Sequence, residues 1–132
     1  MSTLRTNALE GVDAKNSITI VAGAGNITTT NVQEGLCKGW SNNAGGSSIS
    51  INDSFNVSSL SDDGLGDIGN NFTNTMANAN YAICVDGGFQ NDHGLSKQDF
   101  STSKWGTYAY DEGSRDARDN TSNQSAVFGD LA

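Results

Sequence analysis

The stretch SISINDSFNVS, residues 48–58, decides the fold class of this chain. Ile49 and Ile51 alternate with serine and asparagine, and Phe55 and Val57 alternate with polar residues in the same way. Successive side chains of a β-strand point to opposite faces of the sheet, so this spacing predicts strands with one buried face and one hydrated face. The chain is therefore expected to be all-β and antiparallel.

Further strands follow from the rest of the chain. The run YAICV, residues 81–85, is the most hydrophobic stretch and predicts a central strand. Turn-forming residues separate the runs at intervals of roughly ten residues, which is typical of a compact β-sandwich of the jelly-roll or Greek-key type. The other predicted strands are residues 32–40, 68–72, 100–103, 105–110 and 125–128, and the predicted loops are residues 41–46, 62–67, 89–99 and 111–124.

The first 40 residues differ from the body of the chain. Two short β-branched runs, residues 17–21 and 27–30, flank the glycine turn 23–26 and carry almost no large apolar side chains. A two-stranded hairpin of this kind buries too little surface to be stable alone, so it must pair with another chain or dock on a larger surface. We therefore divide the chain into an extended N-terminal anchoring and oligomerisation segment, residues 1–40, and a β-sandwich head domain, residues 41–132. The residues predicted to anchor the segment are Leu4, Leu9, Ile18, Ile20 and Val21.

Polar and turn-forming residues dominate the composition. Gly, Ser and Asn each occur 16 times in 132 residues, and hydrophobic residues make up 35% of the chain. Such a chain builds only a thin apolar core, and small single cores are marginally stable. We therefore expect self-association, because contact between subunits buries further apolar surface at about 25 cal/mol per Å².

The charge and hydropathy patterns argue against two classes of partner. A net charge of −8 disfavours nucleic acid, whose phosphates need clustered Lys and Arg. No apolar run is long enough to span a bilayer, and the N-terminus lacks the charged-then-apolar layout of a secretion signal. We expect a chain that is made in a cytoplasm, with no membrane partner, and in which Cys37 and Cys84 stay free thiols.

No residue pattern predicts catalysis or a cofactor. His93 is the only histidine, and neither a Gly-x-Ser-x-Gly elbow nor a reactive-cysteine context accompanies it. Asp111 and Glu112 are adjacent, so on a strand they would point to opposite faces and could not act as a glycosidase pair. We expect a protein that is not an enzyme, with a hydrolase site between subunits as a remote rival.

Two metal-binding alternatives stay open. Asp62, Asp63 and Asp67 offer carboxylate oxygens, but their spacing does not match the twelve-residue calcium loop, so an ordinary hairpin turn is the simpler interpretation. Copies of His93 that meet around a symmetry axis would also supply metal ligands. The sequence assigns no metal site.

Trp105, Tyr108 and Tyr110 form an aromatic group near the end of the chain. On a strand, Tyr108 and Tyr110 share one face, and Trp105 lies on the other. Buried, these residues would be core or subunit contacts. Exposed, they would stack on the sugar rings of a receptor.

The phrases that carry a family resemblance lie in a fixed order through most of the chain. They are MSTLRTN with Glu10, the hairpin at residues 18–30, VQEGL at 32–36, DSFNVSSL at 53–60, NFTN at 71–74, MANANY at 76–81 and VFGDLA at 127–132. In this order they resemble the small tail-fibre-like virion structural proteins of marine bacteriophages, particularly those of cyanobacteria. The pair Gly69-Asn70 departs from the continuous β-branched strand expected there, and the likeness is weakest between residues 86 and 124.

The resemblance implies a non-enzymatic virion component, either a short fibre or a decoration or cement protein of the head surface. It implies a homotrimer whose N-terminal segment docks on other virion proteins (capsid, portal or adaptor, or tail) and whose β-rich head faces outward. Made in the host cytoplasm, the protein would reside in the virion, and the family has no catalytic residues to carry over. A module that recognises host-surface glycan is the alternative function.

Overall fold

The computed structural model describes residue 8 and residues 19–22, 28–46, 48–87 and 93–132. The chain forms two compact units, Met1–Leu36 and Cys37–Ala132, and each is described by itself. Leu4, Leu9 and Ile18, which the sequence predicts as anchoring residues, lie outside the described residues.

The first unit contains a hairpin and a short helix. Strand β1 (Thr19–Ala22) pairs antiparallel with β2 (Thr28–Asn31), as the two β-branched runs predicted. Ile20 and Val21 belong to β1, and their side chains are outside the described part of the structure. For residues 32–40 the sequence allowed a short helix or a strand and favoured the strand; residues 32–35 form helix α1 (Val32–Gly35), whose central Gln and Glu are good helix formers.

The second unit consists of two antiparallel four-stranded sheets. Its strands are β3 (Cys37–Gly45), β4 (Ile49–Phe55), β5 (Val57–Gly64), β6 (Asp67–Phe72), β7 (Ala82–Gly87), β8 (His93–Gln98), β9 (Lys104–Asp111) and β10 (Asn120–Phe128). The first sheet has the strand order β4-β3-β10-β7 and is called the Trp40 sheet. The second has the order β5-β6-β9-β8 and is called the Trp105 sheet. The all-β prediction is confirmed.

The inner faces of the two sheets are in direct contact. Ser41 Oγ of β3 donates a hydrogen bond to Asn70 Oδ1 of β6, at 2.7 Å. At Gly39 of β3 a methyl group would lie 3.3 Å from the Phe72 ring of β6, so only a small residue fits between the sheets there. The second unit is therefore sandwich-like.

An apolar cluster fills one half of the interior. Trp105 is fully buried, its ring centroid lies 4.5 Å from that of Phe72, and Tyr81 meets Phe72 edge to face at 6.0 Å. Such offset and edge-to-face contacts are the favourable arrangements of aromatic rings. The buried members of the cluster are Phe72, Met76, Tyr81, Ile83, Trp105 and Val127. The thin core that the composition predicts is thus concentrated at one end.

Polar side chains fill the other half of the interior. Asn70 Oδ1 accepts hydrogen bonds from Ser41 Oγ at 2.7 Å and from Asn43 Nδ2 at 3.1 Å, and Ser41 Oγ lies 3.1 Å from Ser125 Oγ. Buried polar groups are tolerated when they bond to each other in this way. Three buried atoms of this half, Asn43 Oδ1, Asn120 Nδ2 and Asn123 Oδ1, have no hydrogen-bond partner in the described part of the chain. The buried polar members of this half are Ser41, Asn43, Asn70, Thr107, Asn120, Asn123 and Ser125.

This polar interior explains where the strand predictions were wrong. Residues 41–46 were expected as a loop because of their Asn, Ser and Gly content, yet residues 41–45 belong to β3 and point alternate side chains into the polar half. Strand β10 begins at Asn120, inside the predicted loop 111–124, for the same reason.

The region before β9 also differs from prediction. Residues 93–98, expected as loop, form the edge strand β8, which pairs with β9. Residues 100–103, expected as strand, belong to the turn between β8 and β9, where Ser101 Oγ accepts a hydrogen bond from the Lys104 backbone N–H. A hydroxyl that bonds its own backbone favours a turn over a strand.

Candidate functional site

Trp105 lies in the core and not on the surface. Its side chain is 0% exposed, and its indole N–H donates to Ser125 Oγ at 2.9 Å. The prediction that Trp105 contacts a receptor or a second subunit is therefore corrected, because no face of the ring is open to a ligand. Trp105 is a core residue, which is the other interpretation that the sequence left open.

Tyr108 and Tyr110 share the outer face of the Trp105 sheet, as their spacing predicted. Their rings stack at 6.3 Å between centroids, and the Arg115 guanidinium lies 5.1 Å from the centroid of the Tyr110 ring. These contacts already use one face of each tyrosine and bring a cation to Tyr110. The pair forms a part-exposed cluster, and its contact with a receptor or a second subunit stays a prediction.

Lys104 lies beside a group of three carboxylates, those of Asp63, Asp67 and Asp99. One carboxylate oxygen each of Asp63, Asp67 and Asp99 lies within 4.8 Å of the others. Lys104 Nζ bonds Asp63 at 2.8 Å and lies 3.9 Å from Asp99, and this bonding raises the pKa of Lys104. Asp62 instead accepts the Gly64 backbone N–H at 3.3 Å. The turn predicted at residues 62–67 is confirmed but shorter, since β5 ends at Gly64 and β6 begins at Asp67. The Lys104 ammonium group places a positive charge beside these carboxylates.

Asp67 is the perturbed acid of this group. Burial raises its pKa above the usual value of 3.8, and the charges of Asp99 and Asp63 act in the same direction. Its Oδ1 atom is buried and has no hydrogen-bond partner in the described part of the chain, whereas Gln98 bonds the carboxyl group. A carboxyl group with a shifted pKa is common at functional sites, but ion-pair networks also shift the pKa of a carboxyl group.

The adjacent acids at the end of β9 have structural surroundings. Asp111 Oδ1 accepts backbone N–H bonds from Gly113 and Ser114, each at 3.0 Å. The Ser114 bond leads the causes that lower the pKa of Asp111, and Arg118 adds to it. His93 begins β8 opposite Asp111, and the His93 side chain is outside the described part of the structure. Asp111 therefore closes a loop, and metal binding by His93 stays an untested alternative.

A groove of about 400 Å³ lies on the outer face of the Trp40 sheet. Its floor is Ala126 of β10, which lies opposite Trp40 of β3 on one side and opposite Cys84 of β7 on the other. Because the alanine side chain is short, the surface drops between its two larger neighbours. The register of three adjacent strands thus produces the depression.

A second row of side chains completes the groove, which we call the Trp40 groove. Gln124 lies on the same face as Ala126, two positions earlier in β10, and is opposite both Asn42 and Asp86. This row supplies amide donors, amide acceptors and one carboxylate. Among the described residues that line the groove, none is Lys or Arg.

Sequence reasoning missed this surface. Trp40 was placed at the boundary between two segments, and Asn42 and Gln124 were assigned to loops. Trp40 and Asn42 alternate with the buried Ser41 and Asn43, which is the pattern of a strand with one outer face. Because Ser41 and Asn43 are polar, the stretch was predicted as a loop.

Known proteins add nothing to this geometry. No family model, curated protein or solved structure matches the chain. No helix within the described ranges is long and apolar enough to cross a membrane. The function is therefore inferred from the fold and its surfaces.

Proposed function

We propose that this chain is a non-enzymatic structural component of a bacteriophage particle, a short fibre or a head-surface decoration, that docks through its N-terminal unit. The observation that supports this proposal is the division into Met1–Leu36 and Cys37–Ala132. All members of the described apolar core belong to the second unit, so the sandwich has a core of its own. The first unit is then available for docking on capsid, portal, adaptor or tail proteins.

Self-association through strand β4 is part of the proposal. β4 is a terminal strand of the Trp40 sheet, and its residues Ile51 and Phe55 are 38% and 52% exposed. Terminal strands carry unpaired backbone groups, and exposed apolar side chains on them favour association with another chain. We propose a homotrimer in which these residues lie between subunits.

The jelly-roll or Greek-key arrangement also belongs to the proposal. In a Greek key of four strands the fourth returns to pair with the first. Here β10 pairs with β7 in one sheet, and β8 pairs with β9 in the other, which supports a Greek key folded across the sandwich. Eight strands in two sheets is also the strand number of the jelly-roll domains of viral capsids and lectins.

Incorporation into particles tests the docking role. Particles are purified from cells that make either the full chain or a chain without residues 1–36, and quantitative mass spectrometry counts the copies per particle. We expect the truncated chain to fold, as judged by β-type circular dichroism, and to be lost from particles. A folded truncated chain that enters particles at full occupancy contradicts the proposal.

Recognition of host-surface glycan is the second candidate function. The Trp40 groove favours it, because an aromatic ring, amides and a carboxylate line one open depression. Tyr108 and Tyr110 do not support it, since they stack on each other. The groove and the proposed subunit contact adjoin each other, because Phe55 of β4 lies opposite Trp40 of β3 on the same face of the Trp40 sheet. The two functions can therefore belong to one particle protein only when the contact at β4 leaves the Trp40 groove open.

A further inference from the structure

We infer that the Trp40 groove binds a neutral pyranose unit of an oligosaccharide. This inference rests on the second candidate function and names the site and the ligand class for it. Trp40 supplies the flat apolar surface, the row Asn42–Gln124–Asp86 supplies the polar groups, and Ala126 leaves the space between them.

The two rows of the groove match the two kinds of surface that a pyranose presents. The C–H face of a sugar ring is apolar and packs against an aromatic ring, whereas its hydroxyl edge needs donors and acceptors together. Gln124 carries an NH₂ donor and a carbonyl acceptor, and the Asp86 carboxylate accepts. Asn42 supplies its NH₂ donor, since its Oδ1 already accepts a hydrogen bond from Asn52 Nδ2 at 3.2 Å. A ring lying over Ala126 against Trp40 would direct its hydroxyl edge toward this second row.

The charge of the groove selects a neutral sugar over an acidic one. Among the described residues that line it, Asp86 is the only acid, Cys84 is the thiol, and none is Lys or Arg. The chain has a net charge of −8, so sialylated or phosphorylated glycans are repelled as they approach. The groove volume of about 400 Å³ is within the usual range of small-ligand sites, roughly 300–1,000 Å³.

Cys84 gives a chemical handle on the groove. Its side chain is exposed on the wall opposite Trp40, and it is not in a disulfide. The chain has two cysteines, so Cys37→Ser leaves Cys84 as the one reactive thiol. A bulky maleimide on Cys84 should fill the groove without any change to Trp40 or to the core.

The test is binding of the full chain to immobilised neutral and acidic oligosaccharides, followed by titration with the best neutral ligand. We expect Trp40→Ala and maleimide on Cys84 to weaken binding at least tenfold, and Gln124→Ala to weaken it severalfold. Tyr110→Ala, on the other sheet, is the control that leaves the affinity unchanged. Maleimide treatment of the Cys37→Ser, Cys84→Ser chain, which has no thiol, should also leave binding intact, and thermal unfolding checks that each variant is folded.

Each other outcome overturns the inference. Neutral-sugar binding that survives both Trp40→Ala and the Cys84 adduct keeps glycan recognition but removes it from the groove. Binding of acidic glycans alone contradicts the assigned ligand class. Absence of any glycan binding removes the second function as well. A Trp40→Ala chain that loses only self-association and still binds the sugar places Trp40 in a subunit contact and not in the sugar site. The docking role is judged separately by incorporation into particles.

Discussion

The indole Nε1 of Trp105 donates a hydrogen bond to Ser125 Oγ at 2.9 Å and so joins the two sheets through the interior. Trp105 belongs to β9 and packs on Phe72, whereas Ser125 belongs to β10 and lies 3.1 Å from Ser41 Oγ. This one contact therefore links the apolar half of the core to the polar half. A tryptophan suits the position because its ring is apolar and its N–H needs a partner when buried.

Truncation of Trp105 should destabilise the sandwich strongly. Trp105→Ala removes the largest buried side chain and leaves a cavity, which typically costs about 3–5 kcal/mol of unfolding free energy. Urea unfolding followed by circular dichroism measures the change. Phe55→Ala, at an exposed aromatic residue, is the control and should cost far less when subunit contacts are absent. Equal stability of the Trp105→Ala and unsubstituted chains would contradict the core assignment.

The polar half of the core should depend on Asn70. Asn70→Ala leaves the Ser41 hydroxyl and the Asn43 amide without their shared acceptor inside the sandwich. Each group keeps one other partner, since Asn43 Nδ2 also donates to Ser41 Oγ and Ser41 Oγ also lies 3.1 Å from Ser125 Oγ. A typical intramolecular hydrogen bond contributes about 0.5–1.5 kcal/mol, so the loss of two bonds should lower the unfolding free energy by about 1–3 kcal/mol. The exposed Asn80 provides the matched control, and Asn80→Ala should change the unfolding free energy little. Similar losses at both positions would mean that the interior is not organised by this network.

The turn between β5 and β6 should require glycine at position 66. Gly66 has a φ of +73°, and a methyl group there would lie 2.5 Å from Ala109 O and 2.6 Å from Arg118 O. Both contacts are with backbone, which cannot move aside cheaply, so we expect Gly66→Ala to destabilise by about 1–3 kcal/mol or more. At Gly46 no atom lies within 4 Å of the added methyl group. Thermal unfolding should therefore show a large decrease in Tm for Gly66→Ala and a small one for Gly46→Ala, and the reverse order would contradict the turn geometry.

Replacement of Asp67 by asparagine should stabilise the protein in a pH-dependent way. The pKa of Asp67 is raised in the folded state, chiefly by burial, so the native chain binds this proton more tightly than the unfolded chain. Its contribution to the unfolding free energy consequently falls as the pH rises from the unfolded pKa through the raised one. Asp67→Asn is uncharged throughout, so its advantage should be present at neutral pH and vanish below about pH 4. Urea unfolding at several pH values measures this, and a constant difference would refute the shift.

Sequence pattern predicted the positions of several strands but not their burial. Residues 68–72 and 105–110 lie in β6 and β9, and residues 82–85 lie in β7, which begins after Tyr81. β7 is a terminal strand of its sheet, so the prediction of a central strand at residues 81–85 was wrong. The alternation at residues 48–58 predicted a buried face, but this stretch divides between β4 and β5 of different sheets, and Ile51 and Phe55 are exposed. The shared face of Tyr108 and Tyr110 followed from their spacing.

The rest of the fold and the groove could not be read from hydropathy. Ser41 and Asn43 of β3 face the interior of the sandwich, where hydrogen bonds to Asn70 replace bonds to water. Burial therefore alternates along β3, although hydropathy does not. Because this part of β3 was not predicted as a strand, the position of Asn42 on the outer face was not predicted either. The hydrogen-bond partners in this polar core are distant in sequence, as Ser41 and Asn70 are, so a local sequence pattern does not predict them.

The molar mass of the full chain in solution tests the self-associating structure most directly. Light scattering coupled to size-exclusion chromatography should give three times the chain mass of 13.8 kDa at micromolar concentration. Phe55→Ser should shift the mass toward that of one chain, because it removes an exposed apolar contact from β4. A single-chain mass for the unsubstituted protein at every concentration would contradict the proposed trimer.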